Sequence, residues 1–495
     1  MKYPNLYTLF RERAGLYRSR DVFFVREGER WAGVSWEGFE REAHEFAYAL
    51  AAHGFERGAS VCVLMGNVAE WVIADLGIIT AGGVSCGLYP TSSAEQCGYI
   101  INHSDAAFCL VDTPAQLDKI LQVRDQLPKL KTIITLDEAS ASTQPGVVSY
   151  REFLRAGHER RQKADGEIEA RALSAGADET VIMVYTSGTT GRPNGACLNH
   201  AYVLNSVESL RGVMPLDDAD VMFSYLPYCH VAERISGLYN RLYAGASAYF
   251  VDDARRLWEY IAEVRPTVFP SLPRFFEKVH ARIIADMGAA PPEERARFSE
   301  ALELGRALSR LRQARERVPQ SLQDEYDERA RPFIGKVNEY FGGRLRLATS
   351  GGAPLLHEVA EFFDAFDLPI LQAYGLTENV CVAFNRPDNY RLGTVGPPMS
   401  GCEVRIAEDG EIMVRSAMMF SGYYKEPEQT AAMFRDGWLL TGDLGRMDAD
   451  GFLQITGRKK EIRSAKVCMS ASVIVFERVA VSPTLKFIRG IFPFR

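Results

Sequence analysis

A chain of 495 residues exceeds what one compact core accommodates and predicts about three structural units. Hydrophobic residues make up 47% and charged residues 24%, the balance of a soluble globular chain, while a net charge of -7 excludes the basic face of a nucleic-acid binder. Nine cysteines, an odd number without C-x-x-C spacing, exclude a disulfide framework or a zinc ribbon and read as reduced, mostly buried thiols. The opening MKYPNLYTLFRERAG lacks the apolar stretch of a secretory signal, and no run reaches the ~18 apolar residues of a spanning helix. A soluble cytoplasmic enzyme is the expectation.

In chain order, Trp36, Phe39, Ala43, Phe46 and Leu50 recur at three- and four-residue steps, predicting an amphipathic helix capped by Ser35. SVCVLM (60–65) reads as a buried strand and EWVIADLGIITAGG (70–83) as an apolar helix ending in glycines. AAFCLV (106–111) and TIITL (132–136) predict strands, with LDKILQVRDQL (117–127) helical between them. Strands alternating with helices imply crossovers and a mostly parallel, doubly wound α/β sheet. VIMVY (181–185) is a further strand, and the loop after it lies where open α/β sheets bind ligands. Residues 291–331 are charge-rich, with Ala301, Leu304, Leu308 and Leu311 on one stripe, predicting a helical excursion packed on one face. After Pro398 the texture becomes β, with Asp409-Gly410 and Asp450-Gly451 as hairpin turns. Beyond Glu461 the last 33 residues carry six Lys/Arg against one acidic residue and lack the punctuation seen upstream.

The loop YTSGTTGRPNG gathers glycines that let the backbone turn tightly with the hydroxyls of Thr186, Ser187, Thr189 and Thr190. Such an array suits phosphate oxygens. It is not a Walker A loop, because Pro193-Asn194-Gly195 stands where G-K-[ST] is required. TSGGAPL (349–355) supplies a small-residue turn able to pass close to a flat base. QAYGLTEN (372–379) presents Tyr374, Thr377 and Glu378, and a carboxylate beside a phosphate loop is a natural Mg²⁺ ligand. TGDLG and ITGRKKE add an acceptor, Asp443, and a fixed cation, Arg458.

YTSGTTGRPNG, SGGAPL, QAYGLTEN, TGDLG and GRKKE stand in the order found in the AMP-forming acyl-CoA synthetases, and the chain resembles that superfamily from about Trp36 to Glu461. PTVFPSLPRFFEKVHARI (266–283) and the charged excursion look most like its long-chain fatty acid branch. The resemblance implies a large adenylate-forming N-terminal domain over 1–460 with a small β-rich portion over about 399–460. It implies a two-step activation of a fatty acid by ATP, through an acyl-adenylate, to its CoA thioester. The partners are then ATP, fatty acid and CoA with Mg²⁺, no nucleic acid, and peripheral membrane contact as the route to a lipid substrate. Carried over, Thr186, Ser187, Gly188, Thr189, Thr190 and Gly191 hold the phosphates, with Thr186 and Glu378 on Mg²⁺. Gly351, Gly352 and Ala353 lie along the adenine, Gln372 and Tyr374 beside the nucleotide, Thr377 at the α-phosphate, and Asp443 with Arg458 at the ribose. His230, in LPYCHVAER, matches a position where the acyl and nucleotide pockets meet; a packed core histidine is the competing reading.

Two departures matter. Asn194 stands where the family usually carries lysine, which implies weaker ATP binding, with Arg192 as partial compensation. The family also continues past a hinge, here Lys460, into a mobile domain bearing a catalytic lysine. The 461–495 tail lacks the Gly-Gly segment that opens that domain, so the expectation is a short atypical replacement produced by a frameshift or premature end. A nucleotide- or acyl-binding remnant without catalysis is therefore the alternative. GVSCG (83–87) has the wrong helix–strand order for a hydrolase nucleophile elbow, and DADG (448–451) lacks the remaining ligands of a calcium loop.

Overall fold

The computed structural model describes residues 2–141, 144–186 and 192–459. Its 21 strands, β1 to β21 in chain order, form four sheets. The largest has eight strands in the order β18 (Gly422–Tyr423), β9 (Asn194–Asn199), β8 (Thr180–Thr186), β4 (Val84–Gly87), β3 (Ser60–Leu64), β5 (Phe108–Val111), β6 (Thr132–Thr135), β7 (Val147–Ser149). From β8 to β7 the neighbours are parallel, whereas β9 is antiparallel to β8 and β18 to β9.

The run SVCVL is buried at every position because both faces of β3 are covered. Val61 and Val63 join a core with the helices Trp36–Ala52 and Ala69–Thr80, while Cys62 and Leu64 face the helices Ala94–His103 and Pro114–Gln122. This is the doubly wound arrangement expected from the alternation of elements. Cys86, Cys62 and Cys109 stand in register across β4, β3 and β5, and the eight described cysteines are free thiols. Among the described residues no helix is long and apolar enough to cross a membrane.

A second sheet runs β10 (Val221–Ser224), β11 (Ser247–Phe250), β1 (Asp21–Glu27), β2 (Arg30–Ser35). A third runs β12 (Val268–Ser271), β13 (Leu347–Ser350), β14 (Ile370–Leu376), β15 (Asn379–Phe384). The last contains β16 (Cys402–Ile406), β17 (Glu411–Ser416), β20 (Trp438–Met447) and β19 (Phe434–Arg435), with β21 (Leu453–Arg458) paired to β20. Asp409-Gly410 and Asp450-Gly451 turn the β16–β17 and β20–β21 hairpins as the sequence predicts.

Three local readings are refined. The helix expected over 117–127 runs Pro114–Gln122 and then tightens into a 3₁₀ turn, Arg124–Gln126. The charged excursion is two helices, Pro292–Gln313 and Gln320–Arg329, parted before Pro319. Ala301 and Leu308 of its stripe are buried and Leu304 and Leu311 half-buried, but the closest contact is at Gly305, where an added Cβ would lie 2.2 Å from the Ala365 carbonyl oxygen. Ser85 of GVSCG lies within buried strand β4, which confirms that no nucleophile elbow exists there. Arg391 spans the DADG turn, 2.5 Å from the Asp450 carboxylate and paired also with Asp448, so a guanidinium fills the space a cation would need.

Candidate active site

The glycine- and threonine-rich segment connects β8 to β9, which pair antiparallel. Thr186 pairs with Asn194 and Tyr185 with Gly195 at its base. Gly195 keeps the approach close there, since a Cβ would come within 2.9 Å of Met183 Sδ and 3.1 Å of the Tyr185 ring. Ser187, Gly188, Thr189, Thr190 and Gly191 lie outside the described residues. Tyr99 donates its hydroxyl to the Pro193 carbonyl at 3.1 Å, and the Arg192 guanidinium stands 5.5 Å over the Tyr99 ring. The Asn194 side chain is buried and donates to Gln429 Oε1 at 2.5 Å, and Gln429 in turn donates to Glu426. Asn194 is thus a strut between β9 and the helix Pro427–Ala432.

The structure brings the other predicted residues into two hydrogen-bonded groups. In the first, the Tyr374 hydroxyl donates to Asp443 Oδ2 at 2.7 Å and Arg458 Nε lies 3.0 Å from Asp443 Oδ1. Asp443 and Arg458 are register partners across β20 and β21, which places acid and base side by side. Asp443 is buried while the Arg458 side chain is 72% exposed, so the pair presents a fixed carboxylate with an open cationic rim. Such a pair can accept from and donate to neighbouring hydroxyls. In the second group, Gln372 accepts the Leu355 N–H at 3.2 Å, tying the SGGAPL turn to β14 where Ser350 and Gln372 are in register. Gly352 adopts φ +77°, and Gly352 and Ala353 are exposed, leaving an open backbone edge.

Glu378 lies where β14 turns into β15. It is buried, its Oε1 accepts the Tyr423 hydroxyl, and burial raises its carboxyl above the usual carboxylate range. Tyr423 is on β18, paired with Ala196 of β9, which pairs with Val184 of β8. The carboxylate is therefore linked by two strand pairings to the strand that ends at Thr186. The Thr377 carbonyl accepts from the Tyr202 hydroxyl at 2.9 Å. Among the described residues no cluster of three His, Cys, Asp or Glu could hold a metal ion. The Glu378 carboxylate is the kind of oxygen donor that Mg²⁺ takes, with phosphate and water completing its shell.

His230 enters neither group. It is half-buried, its Nδ1 accepts the Ala232 N–H at 3.1 Å, and burial lowers its pKa to about 4, so it is neutral at pH 7. The segment after it holds charges that the sequence reading missed. Arg234, fully buried, pairs with Asp75 and donates to the Ser85 carbonyl at 3.3 Å, and its guanidinium stands 4.9 Å over Trp71. The Tyr239 hydroxyl also donates to Asp75, at 2.7 Å. Arg241 donates to Glu233 at 3.0 Å and to the Tyr228 hydroxyl at 3.1 Å. Glu233–Tyr239 form a π-helical turn, a geometry often found next to functional loops. A lone aspartate inside the apolar helix EWVIADLGIIT was the available signal.

A hairpin rich in glycine and hydroxyls, an open small-residue turn and a Tyr–Asp–Arg group at strand ends define a nucleotide-binding α/β enzyme. A family model described as AMP-binding enzyme matches residues 10–424. The chain belongs to that family. It is 30% identical to a long-chain-fatty-acid–CoA ligase, ACSBG2, of Xenopus laevis, over 92% of this chain and 63% of the relative. It is 31% identical to the long-chain-fatty-acid–CoA ligase FadD15 of Mycobacterium bovis, over 87% of this chain and 70% of the relative. The chain thus spans about two thirds of the length of these relatives. The N-terminal domain of FACL13 from Mycobacterium tuberculosis, solved with an inhibitor, shares the fold at TM-score 0.69 and 20% identity, covering 92% of this chain and 100% of that one. Anthranilate CoA ligase AuaEII in complex with anthranoyl-AMP also superposes at TM-score 0.69 and 20% identity, covering 92% of this chain and 78% of that one. The fold is accordingly that of the adenylate-forming N-terminal domain, with its small β-rich portion.

Proposed function

We propose that the chain binds ATP across the β8–β9 hairpin and the Tyr374–Asp443–Arg458 group, and activates a long-chain fatty acid as its acyl-adenylate. A carboxylate oxygen attacks the α-phosphorus, the bond to the β-phosphate oxygen breaks, and pyrophosphate leaves. In the second step CoA thiolate attacks the acyl carbonyl and expels AMP. Asp443 and Arg458 take the ribose hydroxyls, Gly351 to Ala353 with Gln372 flank the adenine, and Thr377 meets the α-phosphate. Thr186 and Glu378 would hold Mg²⁺, which when bound neutralises phosphate charge. Neutral His230 lines the junction with the acyl pocket without adding a charge that would repel an apolar chain.

The observation that carries this reading is the convergence of Tyr374, Asp443 and Arg458, up to 84 residues apart in sequence, into one hydrogen-bonded group. The long-chain ligases among the relatives supply the substrate class. Fatty-acid-dependent ATP–pyrophosphate exchange by the purified chain, and thioester formation with CoA, test it. Exchange that does not depend on fatty acid length or presence would refute it.

A second reading, nucleotide binding without turnover, is favoured by Asn194, whose amide is committed to Gln429 and supplies no cation to the hairpin. Nucleotide binding without exchange would select it.

A further inference from the structure

Asp443 and Arg458 are held from behind by a carboxylate that touches neither of them. Glu411 begins β17, and its side chain is buried. Its Oε1 accepts the Gly442 N–H at 3.0 Å, one residue before Asp443. Its Oε2 receives Lys459 Nζ at 2.6 Å, one residue after Arg458. Lys459 also reaches Asp409 at 2.6 Å, across the turn of the β16–β17 hairpin. Hydrogen bonds to Asp409 and Glu411 hold the Lys459 ammonium above its ordinary pKa, so it is charged at pH 7.

Gly442 needs this anchor. It adopts φ +71° between the Glu411–Leu444 and Met413–Leu440 pairings, where the register shifts, and its N–H donates to the Glu411 side chain. Thr441 completes the brace by donating to the Ile412 carbonyl at 2.8 Å and accepting the Asp443 N–H at 3.1 Å. One side chain therefore ties the backbone before Asp443 to the side chain that follows Arg458.

We infer that Glu411, with Lys459 as its counter-charge, is a positioning residue that sets the spacing of the Asp443 and Arg458 side chains for a vicinal pair of ribose hydroxyls. This rests on the nucleotide reading above. Half-buried charge-assisted hydrogen bonds of this kind are stronger than neutral ones and directional. Cutting them leaves the acid and the base in place but free to separate. A binding site that is loose by about 1 Å loses affinity without losing its residues.

The test is calorimetry of AMP and of 2′,3′-dideoxy-AMP on the whole 495-residue chain and on three variants, Glu411→Gln, Lys459→Met and Lys459→Arg. Glu411→Gln keeps an acceptor for Gly442 and removes only the negative charge that faces the Lys459 ammonium. Lys459 lies at the surface edge, so Lys459→Met stays informative if the Glu411 variant does not fold. The expected result is roughly 10-fold weaker AMP binding in Glu411→Gln and Lys459→Met. Binding of the dideoxy analogue should match the unaltered chain to within about twofold. Lys459→Arg should recover most of the AMP affinity. Equal loss for both ligands would mean a general structural role and overturn the inference, as would unchanged AMP affinity. Absence of AMP binding by the unaltered chain would instead remove the nucleotide reading itself.

Discussion

Asp75→Asn is the sharpest test of how the His230 segment is held. The substitution preserves shape and volume and removes one negative charge from a site where both Asp75 and Arg234 have side-chain exposure of 0%. Arg234 then keeps its full charge with only the Ser85 carbonyl at 3.3 Å and the Trp71 face at 4.9 Å as partners. A buried ion pair that loses one member costs about 3–5 kcal/mol, because the remaining charge stays desolvated. The cation–π contact with Trp71 offsets about 1–2 kcal/mol at most and is already present before the change. The Tyr239 hydroxyl retains an acceptor in asparagine, although a neutral one, at a cost of about 1 kcal/mol. The sum exceeds 3 kcal/mol, a large part of a typical folding stability of about 5–15 kcal/mol. Urea unfolding followed by tryptophan fluorescence reads it directly, since Trp71 stacks on Tyr228 within the same cluster at 4.9 Å. The double change Asp75→Leu with Arg234→Met should recover most of the loss, as apolar replacements of whole buried pairs do. A loss under about 1 kcal/mol for Asp75→Asn would mean that water or another anion reaches Arg234, and the argument from burial would fail.

Asn194→Lys should strengthen Mg·ATP binding several-fold by adding a cation at the hairpin base, and isothermal titration with unchanged affinity would count against the phosphate assignment. Gly157→Ala should destabilise the crossing of the helices Trp36–Ala52 and Tyr150–Lys163, because its Cβ would lie 1.9 Å from the Glu45 carbonyl oxygen. A melting temperature within experimental error of the parent would contradict the contact. His44 and His200 are buried with pKa values lowered to about 4, so each binds fewer protons folded than unfolded. Stability should therefore be complete above pH 6.5 and fall as pH drops through 4, by up to roughly 3 kcal/mol for each histidine. Replacing His200 with glutamine should flatten that part of the pH profile, and an unchanged profile would argue against it.

Strands β3, β5, β6 and β8 of the large sheet were legible as apolar runs, whereas β4 (VSCG), β7 (VVS), β9 (NGACLN) and β18 (GY) carry too short or too polar a pattern. The hairpins of the last sheet were legible because Asp-Gly turns announce themselves. The order of strands in the large sheet was not. That β18 would pair with β9 depends on bringing Gly422 beside Cys197, and nothing local in the two-residue strand marks it. The site divides in the same way. Tyr374, Asp443 and Arg458 stood out by motif, but the Tyr423 partner of Glu378 lies 45 residues on and carries no motif of its own. Glu411 reads in sequence as one more residue after an Asp-Gly turn. Its burial follows only from the two strands that close over it. Arg234 and Arg241 were hidden for a related reason: charges are expected outside, and their partners come from a different helix or the far end of the same turn.

The short strand β18 has a consequence for how far the molecule can be trimmed. It is drawn from the stretch between β17 and β20, yet it seals the outer flank of the sheet that carries the hairpin, with the Tyr424 N–H donating to the Gly195 carbonyl at 2.8 Å. A fragment cut before Gly422 would bare the edge of β9 from Asn194 onward, inviting foreign strands onto it. The two regions are therefore joined at this seam by a strand pairing and the Tyr424–Gly195 hydrogen bond.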